Sequence, residues 1–185
     1  EDARLEKILQ SYLDNISRLM INHRLQQMLE LVEEERLHKL KSAVEGDVPS
    51  EQAKSKMMRA RAIVTVARAR TVTAFNALNP ERIGILTNFF RESDLAMGSK
   101  GTLLVDIDLT DVNLQGAKFL KFNMQQADFD RSQLQNALFE ACDCRQAIFH
   151  SANLEGSLLK KVALQKADFS HANLKNTLLV QCNLC

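Results

Sequence analysis

The sequence is poor in the residues that mark several special classes of protein. It contains no Trp, 2 Pro and 6 Gly in 185 residues, which argues against a disordered or Pro-rich linker protein. Its charges nearly cancel, with Lys+Arg 24 against Asp+Glu 23, so no overall field would recruit nucleic acid or an anionic membrane. Its longest uncharged stretches, residues 71–80 and 176–185, are far too short to span a bilayer. An ordinary globular protein without a membrane span is the class that remains.

A period of five residues dominates the sequence from Thr102 onward. Every fifth residue is large and apolar at 17 successive centres, of which 16 are Leu, Phe or Met and the other is Cys144. The residue two places before a centre is usually small, and Asp or Asn recurs between the two. This period fits neither a helix nor a simple strand. It predicts a chain that turns every five residues, with one small and one large side chain pointing inward on each side.

The repeated unit resembles the pentapeptide-repeat family, whose consensus is A-(D/N)-L-x-x. Four segments match it directly: Ala127-Asp128-Phe129, Ala152-Asn153-Leu154, Ala167-Asp168-Phe169 and Ala172-Asn173-Leu174. The resemblance covers 84 of 185 residues. It implies a right-handed quadrilateral β-helix of about four coils, with four pentapeptides in each coil.

Residue types four pentapeptides apart support a square coil independently of the resemblance. One predicted column of centres is Leu109, Phe129, Phe149 and Phe169. The large Ile107 lies beside the smaller Leu109, whereas alanines lie beside the phenylalanines, so volume is kept from layer to layer.

One corner of the predicted coil has its own residue pattern. Gly and Asn tolerate a positive φ, and they alternate there from coil to coil at four positions: Gly116, Asn136, Gly156 and Asn176. We therefore expect a left-handed residue at this corner in every coil. The other corners lack the pattern and need not share its turn type.

Upstream of the repeats the apolar spacing is that of helices. Apolar stripes run over residues 5–20 and 25–44, and the segment 47–50 predicts a break before a third helix that ends near Leu78. Asn79-Pro80 predicts the N-cap and first position of a fourth helix.

The predicted fold class is α+β by segments. Residues 1–96 form an α-helical module, and residues 102–185 form the β-helix. Within the module, residues 80–95 are expected to cap the open first coil of the solenoid. The segments Arg68-Ala69-Arg70-Thr71 and Asn79-Pro80-Glu81-Arg82 also resemble a helical N-terminal module of some cyanobacterial pentapeptide-repeat proteins.

A cluster of four arginines invites a nucleic-acid interpretation: Arg59, Arg61, Arg68 and Arg70. On a helix, Arg59 and Arg70 share one face, while Arg61 and Arg68 share the opposite face. A patch that follows phosphates needs its charges on one surface. We therefore favour ion pairs between these arginines and the acidic residues 33–35. The interleaved apolar residues indicate a packed helix: Ile63, Val64, Val66 and Val72. No nucleic-acid partner is expected.

The four cysteines are expected to be free thiols: Cys142, Cys144, Cys182 and Cys185. Cys182 lies in the column of Cys142 two coils further on, roughly 10 Å away, which is beyond the reach of a disulfide. Buried thiols favour a reducing compartment, so we expect a cytoplasmic protein. Because the sequence starts at Glu1 rather than Met, the alternative that a targeting segment has been removed stays open.

A Ser-His-Asp arrangement can be drawn at one corner, but we expect it to be a solvated polar corner. Its members project outward from a convex rod with no pocket to exclude water: Asp130, Arg131, His150, Ser151, Ser170 and His171. The Asp and Asn residues of the repeat, such as Asp128 and Asp168, are expected to bond corner backbone. We predict no catalytic residue, no cofactor and no metal site.

One outward-facing set of residues is apolar, and we name it the apolar strip: Leu120, Leu138, Leu158, Leu178 and Val180. Three of its leucines recur once in each coil and should stack on one flat face. A contiguous strip marks a contact surface, for a protein partner or for a second copy in a dimer. The alternative is that the helix over residues 5–20 or 25–44 folds back and covers it.

The expected function is a non-enzymatic scaffold for protein interactions in an unknown process. The resemblance implies an alternative, because fluoroquinolone-resistance members are dimeric rods whose acidic surface imitates DNA and engages gyrase. Residues 101–185 contain 8 Lys+Arg and 9 Asp+Glu, a net charge of −1. A DNA mimic should be far more acidic, so the sequence disfavours this alternative.

Overall fold

The computed structural model describes residues 1–23, 25–41, 50–97 and 103–184. Four helices precede four short strands along the chain. The helices are α1 (Asp2–His23), α2 (Leu25–Lys41), α3 (Glu51–Ala77) and α4 (Pro80–Glu92). The strands are β1 (Lys118–Leu120), β2 (Leu138–Glu140), β3 (Leu158–Lys160) and β4 (Leu178–Val180). The predicted order of helical and repeat segments is therefore confirmed, while the break predicted at 47–50 lies, except for Ser50, outside the described part.

Polar caps start the third and fourth helices where the sequence predicts them. The Ser50 hydroxyl accepts a hydrogen bond from the Ala53 N–H at 3.3 Å, and the Asn79 side chain accepts one from the Arg82 N–H at 3.1 Å. Helix α4 ends at Glu92, three residues before the predicted end of the cap at residue 95. Asp94 has a φ of 56°, which turns the chain out of the helix and leads Leu95 into the core.

Regularly spaced alanines allow close packing along α3. Ala60, Ala67 and Ala74 are all buried, and α3 packs against both α1 and α2. The Tyr12 hydroxyl of α1 meets the Thr71 hydroxyl of α3 at 2.7 Å, so this buried polar pair is satisfied. The predicted apolar packing of α3 holds for Val64, whereas Val66 is 45% exposed. The small residues, rather than all the valines, form its buried stripe.

The repeats form a parallel sheet in which each strand pairs with the equivalent strand of the next coil. The strand order is β1-β2-β3-β4, and Phe119 aligns with Phe139, which aligns with Leu159. Parallel bridges with the same offset link other sides of the coil, as between Asp108 and Asp128. A coil of four pentapeptides, with a turn after each of them, has four sides. The repeat segment is thus the right-handed quadrilateral β-helix that the resemblance to the pentapeptide-repeat family implied, and its turns follow the predicted five-residue period.

The predicted phenylalanine column fills the interior of this solenoid. The ring of Phe149 lies 4.9 Å from that of Phe129 and 4.8 Å from that of Phe169, with interplanar angles of 4° and 5°. Phe139 meets the Phe129 and Phe149 rings edge-on, both at 6.1 Å. Stacked and edge-on rings both contribute beyond the area that they bury.

The left-handed residue occurs at every corner, and not only at the corner rich in Gly and Asn. The predicted positions have φ of 68° at Gly116 and 57° at Asn136, but Ala141 and Lys161 also have φ of 55°. The Ala141 N–H donates to the Lys160 carbonyl at 2.8 Å, and other corner N–H groups bond across coils in the same way. These bonds offset a backbone strain of about 1–2 kcal/mol per residue, so tertiary pairing imposes the turn on ordinary side chains.

Helix α4 and the first coil share one packed core. The Phe90 ring of α4 approaches the Phe122 ring with centroids 6.5 Å apart, and Met97 pairs with Phe122 in an antiparallel bridge. The Asn123 N–H donates to the Ala96 carbonyl at 2.6 Å. Between these contacts, residues 98–102 lie outside the described part of the chain, so the predicted junction at 96–101 is described only at its start.

Candidate interaction surface

The apolar strip occupies the outer side of the β1–β4 sheet. Parallel pairing aligns Leu138 with Leu158 and Leu158 with Leu178, so the three side chains stack in register. Leu178 is 60% exposed and Val180 is 41% exposed, whereas Leu120, Leu138 and Leu158 are half-buried by their neighbours. Among the described elements, α4 packs on β1 and on α1, while α1, α2 and α3 pack on one another. The outward leucines therefore stack as the repeat predicts.

Charged side chains border and divide this face. Leu120 and Val180 stand at the two ends of a column whose middle residues, Glu140 and Lys160, form an ion pair at 2.8 Å. The hydrogen bond from Lys160, with the charges of Lys161 and Lys121, lowers the pKa of Glu140. Lys118 lies on the same outer side at the start of the leucine column. The strip is thus an apolar ladder with a mainly basic rim.

The polar corner is an ion-paired surface. Asp130 accepts a hydrogen bond at 2.8 Å from Nδ1 of His150 when that nitrogen carries the proton, and it also pairs with Arg131. Arg131 reaches Asp111 in the preceding coil at 2.9 Å. The rings of His150 and His171 lie 5.4 Å apart and edge-on. Both carboxylate oxygens of Asp130 therefore face a basic side chain, Oδ1 that of His150 and Oδ2 that of Arg131.

The repeat Asp and Asn side chains hold the corners, as predicted. The Asp128 carboxylate accepts from the Asp130 N–H at 2.8 Å, and the Asp168 carboxylate accepts from the Ser170 N–H at the same distance. The bonds from Ser170 lower the pKa of Asp168. Side chains of the same type bond the backbone two residues later at six other corners: Asp108, Asn113, Asn123, Asp143, Asn153 and Asn173.

The described cysteines are free thiols: Cys142, Cys144 and Cys182. The Cys142 thiol donates to the Phe119 carbonyl at 3.2 Å, and the Cys182 thiol donates to the Leu159 carbonyl at the same distance. Burial raises the pKa of Cys142 to about 12, so this thiol stays protonated and unreactive at neutral pH. Cys185 lies outside the described residues, so the structure does not describe its position relative to Cys182.

The structure separates the four arginines as their helical spacing predicts. Arg61 forms the expected bidentate pair with Glu35, and Arg68 donates to the Leu103 carbonyl at 3.3 Å. Arg59 and Arg70 are both exposed. The four charges therefore do not form one surface that could follow a phosphate backbone.

Sequence reasoning missed a groove between α1 and α3 with a volume of about 560 Å³. Arg4 and Lys7 from α1 and Arg70 from α3 lie along it. The signal in the sequence was the spacing of Arg4, Lys7 and Ser11 on one face of α1, but nothing in the sequence pairs that face with Arg70.

Among the described residues, no three His, Cys, Asp or Glu side chains are grouped to hold a metal ion. None of the described helices is long and apolar enough to cross a membrane.

The comparisons with known proteins agree with the repeat geometry. A family model described as pentapeptide repeats matches residues 107–143 and 147–184, in 8 copies. The class of this segment is therefore a pentapeptide-repeat solenoid, and the chain carries it after a helical part that the model does not match. No curated protein shows a significant match to the chain.

The solved structures that resemble the chain do so over a limited part. HetL, a pentapeptide repeat protein involved in heterocyst differentiation regulation from Nostoc sp. strain PCC 7120, is 28% identical over 40% of this chain and 35% of its own, with a TM-score of 0.40. QnrB1, a plasmid-mediated fluoroquinolone resistance protein, is 26% identical over 38% of this chain and 40% of its own in a trypsin-treated form, with a TM-score of 0.35. The matched part spans about two fifths of those chains.

Proposed function

We propose that this chain is a non-enzymatic scaffold that binds a protein partner through the apolar strip. The observation that carries the proposal is the register of Leu138, Leu158 and Leu178 on an outer face, with Leu178 60% exposed. Leucines that stack in one line on an outer face, even when half-buried by their neighbours, form a continuous apolar surface, which is typical of contact sites.

The rim of the strip favours a partner with an acidic contact surface. Lys118, Lys121 and Lys161 are exposed around it, and Lys160 already has Glu140 as its partner. Two copies of this face would bring like charges together, which opposes self-association through it. A second copy is therefore the alternative outcome of the experiment below.

The size of the strip sets what else the partner must contact. Three leucines at the spacing of parallel strands span roughly 10 Å, whereas a stable interface buries about 800 Å² on each partner. The partner must therefore also contact the basic rim, and binding is expected to weaken as salt concentration rises.

The test compares Leu158→Glu with Ile148→Glu as the matched control. Ile148 is an exposed apolar residue of the same solenoid, 37% exposed, but it lies outside the strip. The wild type and the two variants are each immobilised and used to capture proteins from the source cell. A protein that binds the wild type and Ile148→Glu but not Leu158→Glu is purified and titrated against the wild type and both variants. We expect binding at least tenfold weaker for Leu158→Glu alone. Equal binding by all three would contradict the proposal, and light scattering reports any dimer.

The charge of the repeat segment is the reason for not proposing a DNA-mimicking gyrase modulator. Residues 101–185 contain 8 Lys+Arg against 9 Asp+Glu, which is close to neutral. We expect no effect of the protein on gyrase supercoiling in the presence of a quinolone. Protection of gyrase from the quinolone at micromolar concentrations of this protein would favour the gyrase modulator over the scaffold.

We also propose that residues 1–96 are one helical module whose helix α4 caps the solenoid formed by residues 102–185. The packing of Phe90 against Phe122 and the bond from Asn123 to Ala96 support it, because both cover the open edge of the first coil.

The free thiols of Cys142, Cys144 and Cys182 support placing the chain in a reducing compartment, the cytoplasm.

A further inference from the structure

The groove between α1 and α3 has a basic edge and an apolar floor. Its volume of about 560 Å³ falls within the range of pockets that hold small organic ligands. Arg4, Lys7 and Arg70 lie along its edge, and the floor includes the side chains of Ile8 and Ala74. No Asp or Glu side chain among the described residues lines it.

Charge segregation on α1 explains why only cations face the groove. Asp2 and Glu6 lie on the opposite face of the helix, where both pair with Arg82 of α4 at 3.2 and 3.4 Å. Arg4 and Lys7 are left on the groove side, opposite Arg70. In the described ranges of the chain, none of these three cations forms an ion pair. Three like charges converge without a protein counter-charge, which favours an anion in the groove.

Several other polar groups of the groove already have partners within the protein. Tyr12 and Thr71 share a hydrogen bond at 2.7 Å, and the Thr73 hydroxyl donates to the Ala69 carbonyl at 2.9 Å. The Asn15 amide donates to the Ser11 carbonyl at 2.7 Å. A ligand would therefore find charged donors at the edge and aliphatic or aromatic surface at the floor. That combination suits a ligand with an anionic head and an apolar body.

A second, smaller groove with a volume of about 310 Å³ adjoins the first. It is lined by Lys7, Asp14 and Arg18, and the Asp14 carboxylate accepts a hydrogen bond from Gln10 at 2.9 Å. The acid on that side disfavours an anion there, so the anionic head belongs between Arg4, Lys7 and Arg70.

We infer that the α1–α3 groove binds a small amphiphilic carboxylate. Its carboxylate lies among Arg4, Lys7 and Arg70, and its hydrocarbon part lies against Ile8, Tyr12 and Ala74. This binding is independent of the apolar strip, which lies on the solenoid.

The test uses octanoate as the probe, with octanol and acetate as its matched ligands. Calorimetric titration should give octanoate binding at least tenfold tighter than that of either control, since octanol lacks the charge and acetate lacks the apolar body. The affinity should fall as salt is added. Methyl signals in NMR spectra should locate the bound octanoate by shifts at Ile8 and Ala74.

The variant Arg70→Gln tests the charge, and Arg59→Gln is its control. Both arginines are exposed on the same face of α3, but only Arg70 lines the groove. Loss of one charged contact should weaken octanoate binding about fivefold in Arg70→Gln and leave it unchanged in Arg59→Gln. Equal binding of octanoate and octanol, equal effects of the two variants, or shifts confined to the exposed Leu178 would each overturn the inference.

Discussion

The helical part and the repeat part of this chain reach a packed core by different routes. In the solenoid, each contact is repeated from one coil to the next, as in the pairing of Phe119 with Phe139 and of Leu138 with Leu158. In the helical part, contacts join positions with no common interval, as between Tyr12 and Thr71, which are 59 residues apart. Because its contacts repeat, the core of the solenoid can be predicted from the sequence, whereas the core of the helical part depends on which helix faces meet.

The two parts also differ in how they treat backbone strain. None of the positive-φ residues lies within the described helices, and the N-terminal ends of α3 and α4 are satisfied by local caps at Ser50 and Asn79. The solenoid places a left-handed residue at each corner and satisfies its N–H through the neighbouring coil, as at Ala141. Local residue choice therefore stabilises the helix ends, while stacking stabilises the corners.

The largest expected effect is the loss of a central ring from the solenoid. Phe149→Ala should lower the free energy of unfolding by about 3–5 kcal/mol, because rigid neighbouring coils cannot collapse into the cavity. Phe149 is fully buried between Phe129 and Phe169. Denaturant unfolding measures the loss. Phe149→Leu should be far milder, since Leu fills equivalent centres, and an unchanged midpoint for Phe149→Ala would refute the stacked column.

A second substitution tests whether the two parts unfold together. Phe90 is fully buried and contacts Tyr12, Phe75 and Phe122, so Phe90→Ala should cost about 3 kcal/mol. Because it joins α4 to the first coil, we expect helix loss to separate from solenoid unfolding in the variant. Circular dichroism follows the helices and the methyl NMR signals of solenoid leucines follow the repeats, so the two measurements should then give different midpoints. Coincident midpoints in the variant would show that this contact does not couple the parts.

Two glycines allow the corner strain to be measured apart from crowding. Gly116 and Gly156 have φ of 68° and 70°, and only at Gly156 would a Cβ meet another atom, the Asn136 Oδ1 at 2.7 Å. Gly116→Ala should cost about 1 kcal/mol from the left-handed backbone alone. Gly156→Ala should cost more, unless the Asn136 side chain rotates away. Thermal unfolding compares the two, and a larger loss at Gly116 would contradict this account.

The smallest expected effect is a loss of solenoid stability in acid. Hydrogen bonds lower the pKa of Asp108, Asp111 and Asp168 below the usual 3.8. A carboxylate with a lowered pKa in the folded state adds stability above its unfolded pKa, and this stability is lost as the pH falls through the folded pKa. Unfolding measured from about pH 6 to about pH 3 should show a decline below the usual Asp pKa.

The control for this acid effect is Asp168→Asn. Asn173 fills the same kind of corner and accepts the same backbone bond, so the amide should keep the turn and remove part of the pH dependence. The same acid slope in Asp168→Asn and the wild type would exclude Asp168 as a contributor.

Several structural features could be predicted because they depend on neighbours in the sequence. The caps at Ser50 and Asn79, the five-residue sides and the Asp or Asn bonds at the corners all follow from local residue chemistry. The end of α4 was wrong by three residues, because the chain leaves the helix to bury Leu95 in the shared core. The corners were only partly predicted, because Ala141 and Lys161 have no intrinsic preference for a positive φ.

The sequence by itself determined the five-residue sides, the columns of centres and the outward leucines, because a strict period of five repeats the same small and large inward positions on every side. Only the tertiary structure decided which helix faces meet, that Arg4, Lys7 and Arg70 share one groove, and that Phe90 packs on Phe122. Such contacts join residues far apart in the chain, and helical periodicity shows that a face is buried but not what buries it.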